Sequence, residues 1–159
     1  MLTSLVSILV LGEAPPARVV LKAGDKAPEL GVMDTKGVTW KLNSLKKDKV
    51  YLVEFWATWC TTCKKIAPTV EAFVREKRGE KFEMLAVSVD DDLAELRKEL
   101  RTKKPEWPVL MDPDFSMMNR WGVVGVPRLF FVRNGVILWE REGEVSAEDL
   151  RAAWSKLGL

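Results

Sequence analysis

The stretch KVYLVEFWATWCTTCKKIAPTVEAFVREKR, residues 49–78, decides the fold because it joins two hydrophobic patterns of different period. Residues 49–56 form a short segment that is rich in strand-favouring residues and almost continuously apolar, which predicts a buried strand. Residues 60–78 carry apolar side chains at helical spacing, which predicts a helix with Pro68 inside it. A strand followed at once by a helix is the repeating unit of α/β folds that contain parallel strands.

The rest of the chain continues this alternation. Further strands are predicted at residues 38–42, 82–89 and 107–112, and further helices at residues 91–103, 115–121 and from residue 146. The stretch RLFFVRNGVILWERE, residues 128–142, predicts a hairpin, because the Asn-Gly pair at its centre is the preferred type I′ turn. We therefore expect one α/β domain with a central mixed sheet flanked by helices and an antiparallel hairpin at one edge.

The first 17 residues predict a leader segment. Their apolar run LTSLVSILVL, residues 2–11, matches the core of a secretory signal and is shorter than the about 20 residues that span a bilayer. No Lys or Arg precedes the run, so a docking strand is an alternative interpretation. We expect a leader at residues 1–17, a folded domain at residues 23–159, and membrane association only through the leader. The expected location is periplasmic or otherwise exported, with a cytoplasmic location as the alternative.

Composition and charge exclude several classes of function. The chain has 159 residues, a net charge of +2 and no histidine. This charge gives little attraction to nucleic acid, and without histidine no Ser-His or Cys-His nucleophile pair can form. Two cysteines cannot fill a tetrahedral zinc site or hold an iron–sulfur cluster within one chain. We therefore expect no nucleic-acid partner and no metal, unless a metal site is shared between chains.

The two cysteines, Cys60 and Cys63, lie where the predicted helix begins. Unpaired N–H groups and the helix dipole favour negative charge there, which lowers the pKa of the Cys60 thiol and makes it the attacking sulfur. Cys63 lies on the same helical face and can close a disulfide with Cys60. The hypothesis is that Cys60 attacks a substrate disulfide and Cys63 releases the product, with no cofactor beyond this redox-active pair. A static structural disulfide is the alternative.

Glu54 lies in the middle of the apolar run YLVEFW, where a carboxylate is expensive to bury. If it is buried, desolvation raises its pKa toward neutrality, and the carboxylate can then act as the base that takes the proton of Cys63. The alternative interpretation is that Glu54 points to solvent from an exposed strand face.

Two segments resemble the thioredoxin superfamily. VEFWATWCTTCKKIAP, residues 53–68, is similar to the active-site segment of thioredoxins and their exported relatives, and GVVGVPRLFFVRNGVI, residues 122–137, is similar to the second thioredoxin signature. The resemblance implies a thioredoxin-like fold in which a cis-proline, Pro127, faces the cysteines and the backbone of Val126 pairs with a substrate strand. It also implies that Trp59 borders the docking groove and that Glu54 is a buried acid serving Cys63.

The segments AGDKAPELGVMDTKGVTWKLNSLKK, residues 23–47, and EWPVLMDPD, residues 106–114, resemble the TlpA/ResA/CcmG branch of that superfamily. Its members are exported or membrane-tethered reductases, often in cytochrome c maturation. This resemblance implies an N-terminal β extension, protein thiol or disulfide substrates, an upstream dithiol electron donor, and a monomer. Three positions depart from the pattern: the dipeptide Thr61-Thr62, Ile66 in place of an acid, and Arg128 in place of a small hydroxyl residue.

Three other functions compete with the reductase. A disulfide oxidase or isomerase would use the same cysteines at a higher potential. A thioredoxin-fold binding or carrier module would bind a partner without turnover. A peroxiredoxin is disfavoured, because Ala57 occupies the place of the usual hydroxyl three residues before the reactive cysteine.

Overall fold

The computed structural model describes residues 19–79 and 81–158. The predicted leader at residues 1–17 lies outside these ranges. Within them, no helix has the length and apolar character needed to cross a membrane.

The order of elements follows the predicted alternation. The strands are β1 (Val32–Asp34), β2 (Thr39–Trp40), β3 (Val50–Trp56), β4 (Phe82–Ser88), β5 (Val109–Met111), β6 (Arg128–Arg133) and β7 (Val136–Glu142). The helices are α1 (Thr61–Lys77), α2 (Leu93–Lys103), α3 (Ser116–Arg120) and α4 (Ala147–Ser155), with a 3₁₀ turn at Leu42–Ser44. Strand β1 has no counterpart in the sequence prediction, because three residues with one exposed side chain give too short a pattern to recognise.

The described residues form a seven-stranded mixed sheet in the order β2-β1-β5-β4-β3-β6-β7. Strands β3, β4 and β5 run parallel, and β6 and β7 add the antiparallel hairpin at one edge. At the other edge, β1 pairs antiparallel with β5 and with β2, which forms the expected N-terminal β extension. The predicted α/β architecture is therefore confirmed.

Helices and loops cover both faces of the sheet. Helices α1, α2 and α4 pack on one face, against side chains such as Leu52 and Phe131. Helix α3 and the segment before β1 pack on the other face, against side chains such as Phe55 and Phe130. The hairpin turn has positive φ angles of 55° at Asn134 and 70° at Gly135, as a type I′ turn requires.

Gly122 follows α3 and lies close to the backbone of Val19, the first residue that the structure describes. Its φ angle is +61°, and a Cβ built on it would overlap the carbonyl oxygen of Val19. Gly122→Ala is therefore expected to lower the free energy of unfolding by more than about 2 kcal/mol, since left-handed strain adds to displacement of the backbone at Val19.

Gly37 provides the matched control for this measurement. Its φ angle is +84°, but within the described residues nothing lies within 4 Å of a Cβ built on it. Gly37→Ala should therefore cost only the strain, about 1 kcal/mol. Denaturant unfolding of both variants makes the comparison, and equal losses would contradict a tight contact between Gly122 and Val19.

Candidate active site

The two cysteines lie at the start of α1 and form a disulfide with each other. Cys60 is the N-cap residue of α1, and its sulfur accepts a hydrogen bond from the backbone N–H of Cys63 at 3.0 Å. Both side chains are buried. The sulfur of Cys60 thus lies at the positive end of a 17-residue helix, where a thiolate would be stabilised once the disulfide is reduced.

The loop between β3 and α1 is held in place by Asp90, which lies just after β4. The Asp90 carboxylate accepts hydrogen bonds from the backbone N–H of Thr58 at 3.0 and 3.1 Å and from the Thr58 hydroxyl at 2.7 Å. It also accepts one from the Ser88 hydroxyl at 2.8 Å. Because Thr58 precedes Cys60 by two residues, these hydrogen bonds to Asp90 hold the part of the loop that leads into the disulfide. Asp90 is not among the site residues predicted from the sequence, although its position directly after a predicted strand could have indicated it.

The cis-proline loop comes from a distant part of the chain. The peptide bond between Val126 and Pro127 is cis, and the carbonyl oxygen of Val126 lies 3.5 Å from the sulfur of Cys60. The fold thus brings together residues separated by 66 positions in sequence. Residues 124–127 lie outside the helices and strands, and a backbone segment of this kind beside a reactive sulfur can pair with an extended peptide.

Two apolar side chains near this contact are open to solvent. Trp59, next to Cys60, is 63% exposed, and Val124, two residues before Val126, is 55% exposed. Soluble proteins bury most of their large apolar side chains, and exposed ones grouped at a reactive residue are typical of a binding surface.

Glu54 is buried on the face of the sheet that α1 and α2 cover. It is 7% exposed and lines a cavity of about 90 Å³ together with Cys63 and Trp56. Burial, and secondly the charge of Glu71, raise the pKa of Glu54 to about 8. The cavity has room for water, which could carry a proton between Glu54 and Cys63. The alternative of a solvent-facing Glu54 is wrong, because α1 and α2 cover this strand face.

Arg128, the residue after Pro127, is neither exposed nor free to act on its surroundings as a lone cation. It is 9% exposed, with ion pairs of 2.7 Å to Glu140 and 2.8 Å to Glu142. Two carboxylates therefore neutralise its charge.

Comparison with known proteins places the chain among thiol-disulfide exchange proteins. A family model described as the AhpC/TSA family matches residues 23–146. The thiol-disulfide oxidoreductase ResA of Bacillus thuringiensis subsp. konkukian is 25% identical over 138 residues, which cover 86% of this chain and 79% of the relative. ResA of Bacillus subtilis is 28% identical over 112 residues, covering 70% of this chain and 62% of the relative.

Solved structures agree with these relatives. A candidate thiol:disulfide interchange protein DsbE from Chlorobium tepidum has a TM-score of 0.75 and 29% identity, covering 87% of this chain and 97% of that chain. The thioredoxin domain of a thiol-disulfide oxidoreductase from Bacteroides vulgatus has a TM-score of 0.74 and 26% identity, covering 86% and 98%. The thioredoxin-like fold and the resemblance to ResA-type proteins are confirmed.

Proposed function

The chain belongs to the AhpC/TSA family, and on this basis we propose that it is a thiol-disulfide oxidoreductase that reduces disulfides in other proteins. The observation that carries the proposal is the disulfide between Cys60 and Cys63 at the start of α1, with the carbonyl oxygen of Val126 3.5 Å from the Cys60 sulfur. A reactive sulfur and a peptide-pairing backbone lie side by side.

The proposed reaction starts from the reduced pair. An extended segment of the substrate protein pairs with the backbone of Val126, beside Pro127 and Trp59. The Cys60 thiolate attacks one sulfur of the substrate disulfide, forms a mixed disulfide and expels the other sulfur as a thiolate.

Cys63 completes the reaction by attacking the sulfur of Cys60. The substrate leaves with two thiols, and the Cys60–Cys63 disulfide seen in the structure is formed. Glu54 takes the proton of Cys63 through their shared cavity, and a carboxyl with a pKa of about 8 is matched to that task near neutral pH. A dithiol donor then reduces the disulfide for the next turnover, so no other cofactor is needed.

The reducing direction is supported by the state of Arg128. A free cation near Cys60 would stabilise its thiolate, and a more stable thiolate makes the pair more oxidising. Arg128 is instead neutralised by Glu140 and Glu142. We propose an exported, monomeric reductase of the TlpA/ResA/CcmG type. Buried Ile66 stands where some members carry an acid, which disfavours a specialised role in cytochrome c maturation.

Measurement of the redox potential tests this proposal. Equilibration of the cysteine pair with a glutathione series is expected to give a potential closer to the about −270 mV of thioredoxin than to the about −120 mV of a strong disulfide oxidant. The protein should also accelerate insulin reduction by dithiothreitol, and Cys60→Ser should remove this activity.

Other outcomes would favour the competing functions. A potential near about −120 mV would contradict the reductase and favour an oxidase or isomerase. Rapid peroxide consumption would favour a peroxiredoxin. Partner binding that does not depend on Cys60 would favour a binding module.

A further inference from the structure

We infer that Arg128 is a positioning residue: it holds the loop of Val126 and Pro127 against Cys60 by tying the end of that loop to β7 and to the segment before β1. The inference rests on the proposed function, because it names a residue that supports the substrate-pairing backbone of the same site.

The loop itself has few regular contacts that could fix its position. Residues 124–127 lie outside the helices and strands, between α3 and β6. The carbonyl of Pro127 accepts a hydrogen bond from the N–H of Gly143 at 3.0 Å, and Arg128 is the first residue of β6. The chain that carries the Val126 carbonyl is therefore anchored at Pro127 and Arg128, where the side chain of Arg128 adds to the backbone pairing of β6 with β3 and β7.

Two carboxylates of β7 hold the side chain of Arg128 across the hairpin. Backbone pairing places Arg128 opposite Glu142 and Phe130 opposite Glu140. Both carboxylates reach the guanidinium, with distances of 2.7 Å from Nη2 to Glu140 Oε2 and 2.8 Å from Nη1 to Glu142 Oε2. A nearly buried guanidinium is stable only when its donors are satisfied, so this geometry is strongly fixed.

The other contacts of Arg128 lead to the core and the N-terminal segment. Its Nη2 donates to the carbonyl oxygen of Leu21 at 3.5 Å, and its guanidinium carbon lies 5.3 Å from the ring centroid of Phe130. The Phe130 ring packs against Trp121 at 5.2 Å and against Phe55 at 6.1 Å, on the strand that leads to the cysteines. Arg128 thus links the loop of Val126 and Pro127, which it directly follows, to strand β3, which leads to the cysteines and which it reaches through Phe130.

Lys49 offers a matched control for the loss of this ion-pair cluster. Its side chain is 13% exposed, against 10% for Arg128, and it pairs with Glu83 at 3.1 Å. It precedes the seven-residue strand β3, so it lies roughly 20 Å from the cysteines. Lys49→Met therefore removes a similarly buried ion pair far from the site.

The test compares two reactions of the reduced full-length protein. Insulin reduction requires docking, whereas alkylation of Cys60 by iodoacetamide does not. Both reactions need the Cys60 thiolate, so the rate of insulin reduction divided by the rate of alkylation does not depend on the thiolate fraction. Arg128→Met is expected to lower this ratio roughly 10- to 100-fold, since small misplacements of reacting groups have effects of this size. Arg128→Lys should lower this ratio less than Arg128→Met does, because the ammonium keeps the positive charge. It should still lower the ratio, because an ammonium lacks the planar guanidinium geometry that binds both carboxylates. Lys49→Met should leave it unchanged.

Two further measurements cover other outcomes. If Arg128→Met does not fold, Glu142→Gln removes one anchor at a side chain that is 57% exposed, and it should lower the ratio in the same direction. Amide hydrogen exchange at Gly143 should be faster in the Arg128 variants than in Lys49→Met, whether or not the protein reduces insulin.

The outcomes separate the inference from the proposed function. A wild-type protein that reduces no protein disulfide would contradict the proposed function, while faster exchange at Gly143 would still support the positioning role. A ratio that falls equally in Lys49→Met, or that does not change in the Arg128 variants, would overturn the inference, as would unchanged exchange at Gly143.

Discussion

Replacement of Cys63 by alanine is expected to abolish repeated disulfide reduction while leaving the first attack by Cys60 intact. Cys63 is the only other thiol in the chain, so no internal group remains to release a substrate attached to Cys60. An intramolecular reaction of closely placed groups is far faster than its bimolecular counterpart, so turnover should fall roughly 1000-fold or more. Substrates should therefore accumulate as mixed disulfides on Cys60.

Non-reducing electrophoresis and mass spectrometry can measure this accumulation. Cys60→Ser should capture nothing, because the Val126 carbonyl with which the substrate is proposed to pair lies beside the sulfur of Cys60, whereas Cys63 lines the cavity of Glu54. Full turnover in Cys63→Ala, or equal capture by Cys60→Ser, would contradict the assignment of the two sulfurs. The same variant expressed in cells would identify the natural substrates and the compartment in which they are captured.

Replacement of Glu54 by glutamine is expected to stabilise the protein while slowing its chemistry. The pKa of Glu54 is about 8 in the folded protein and 4.5 for the solvated side chain of the unfolded chain, so between these two pH values the folded protein holds a proton that the unfolded chain releases. The free energy of unfolding of the wild type therefore falls as pH rises through this window. The loss is complete above about pH 8 and reaches at most about 5 kcal/mol.

Glutamine has nearly the same shape and carries no charge, so Glu54→Gln should avoid this loss. Its stability relative to the wild type should be close to zero at pH 4 and should grow to a few kcal/mol at pH 9. Denaturant unfolding of the oxidised proteins over this pH range measures the difference. Glu148→Gln, at an exposed position of α4, is the control and should show no comparable trend. A constant difference between Glu54→Gln and wild type would mean that the Glu54 pKa is ordinary.

The catalytic cost of the same change should appear in the release step. Without a base beside Cys63, the release of substrate from Cys60 should slow about 100-fold near neutral pH, as is usual for loss of a general base. The wild-type rate of release should rise with pH up to about 8, and this rise should be missing from Glu54→Gln. Single-turnover release of a labelled peptide from Cys60 gives this profile. Equal profiles for the two proteins would remove Glu54 from the mechanism.

Local sequence pattern was sufficient to predict most elements of the fold. The run at residues 49–56 became β3, the helical pattern after it became α1, and the Asn-Gly pair formed the turn between β6 and β7. Each of these signals is local, because the burial period of a strand or a helix is imposed by the backbone over a few residues. Strand β1 gave no such signal and depends on pairing with β5.

What the sequence determined by itself is therefore the alternation of strands and helices and the place of Cys60 and Cys63 at a helix start. Only the tertiary structure decided that Glu54 is enclosed by α1 and α2, that Asp90 holds the loop before Cys60, and that Arg128 is neutralised. The physical reason is that burial, pKa and ion pairing depend on which distant side chains become neighbours. Leu21, for example, accepts its hydrogen bond from a residue 107 positions away.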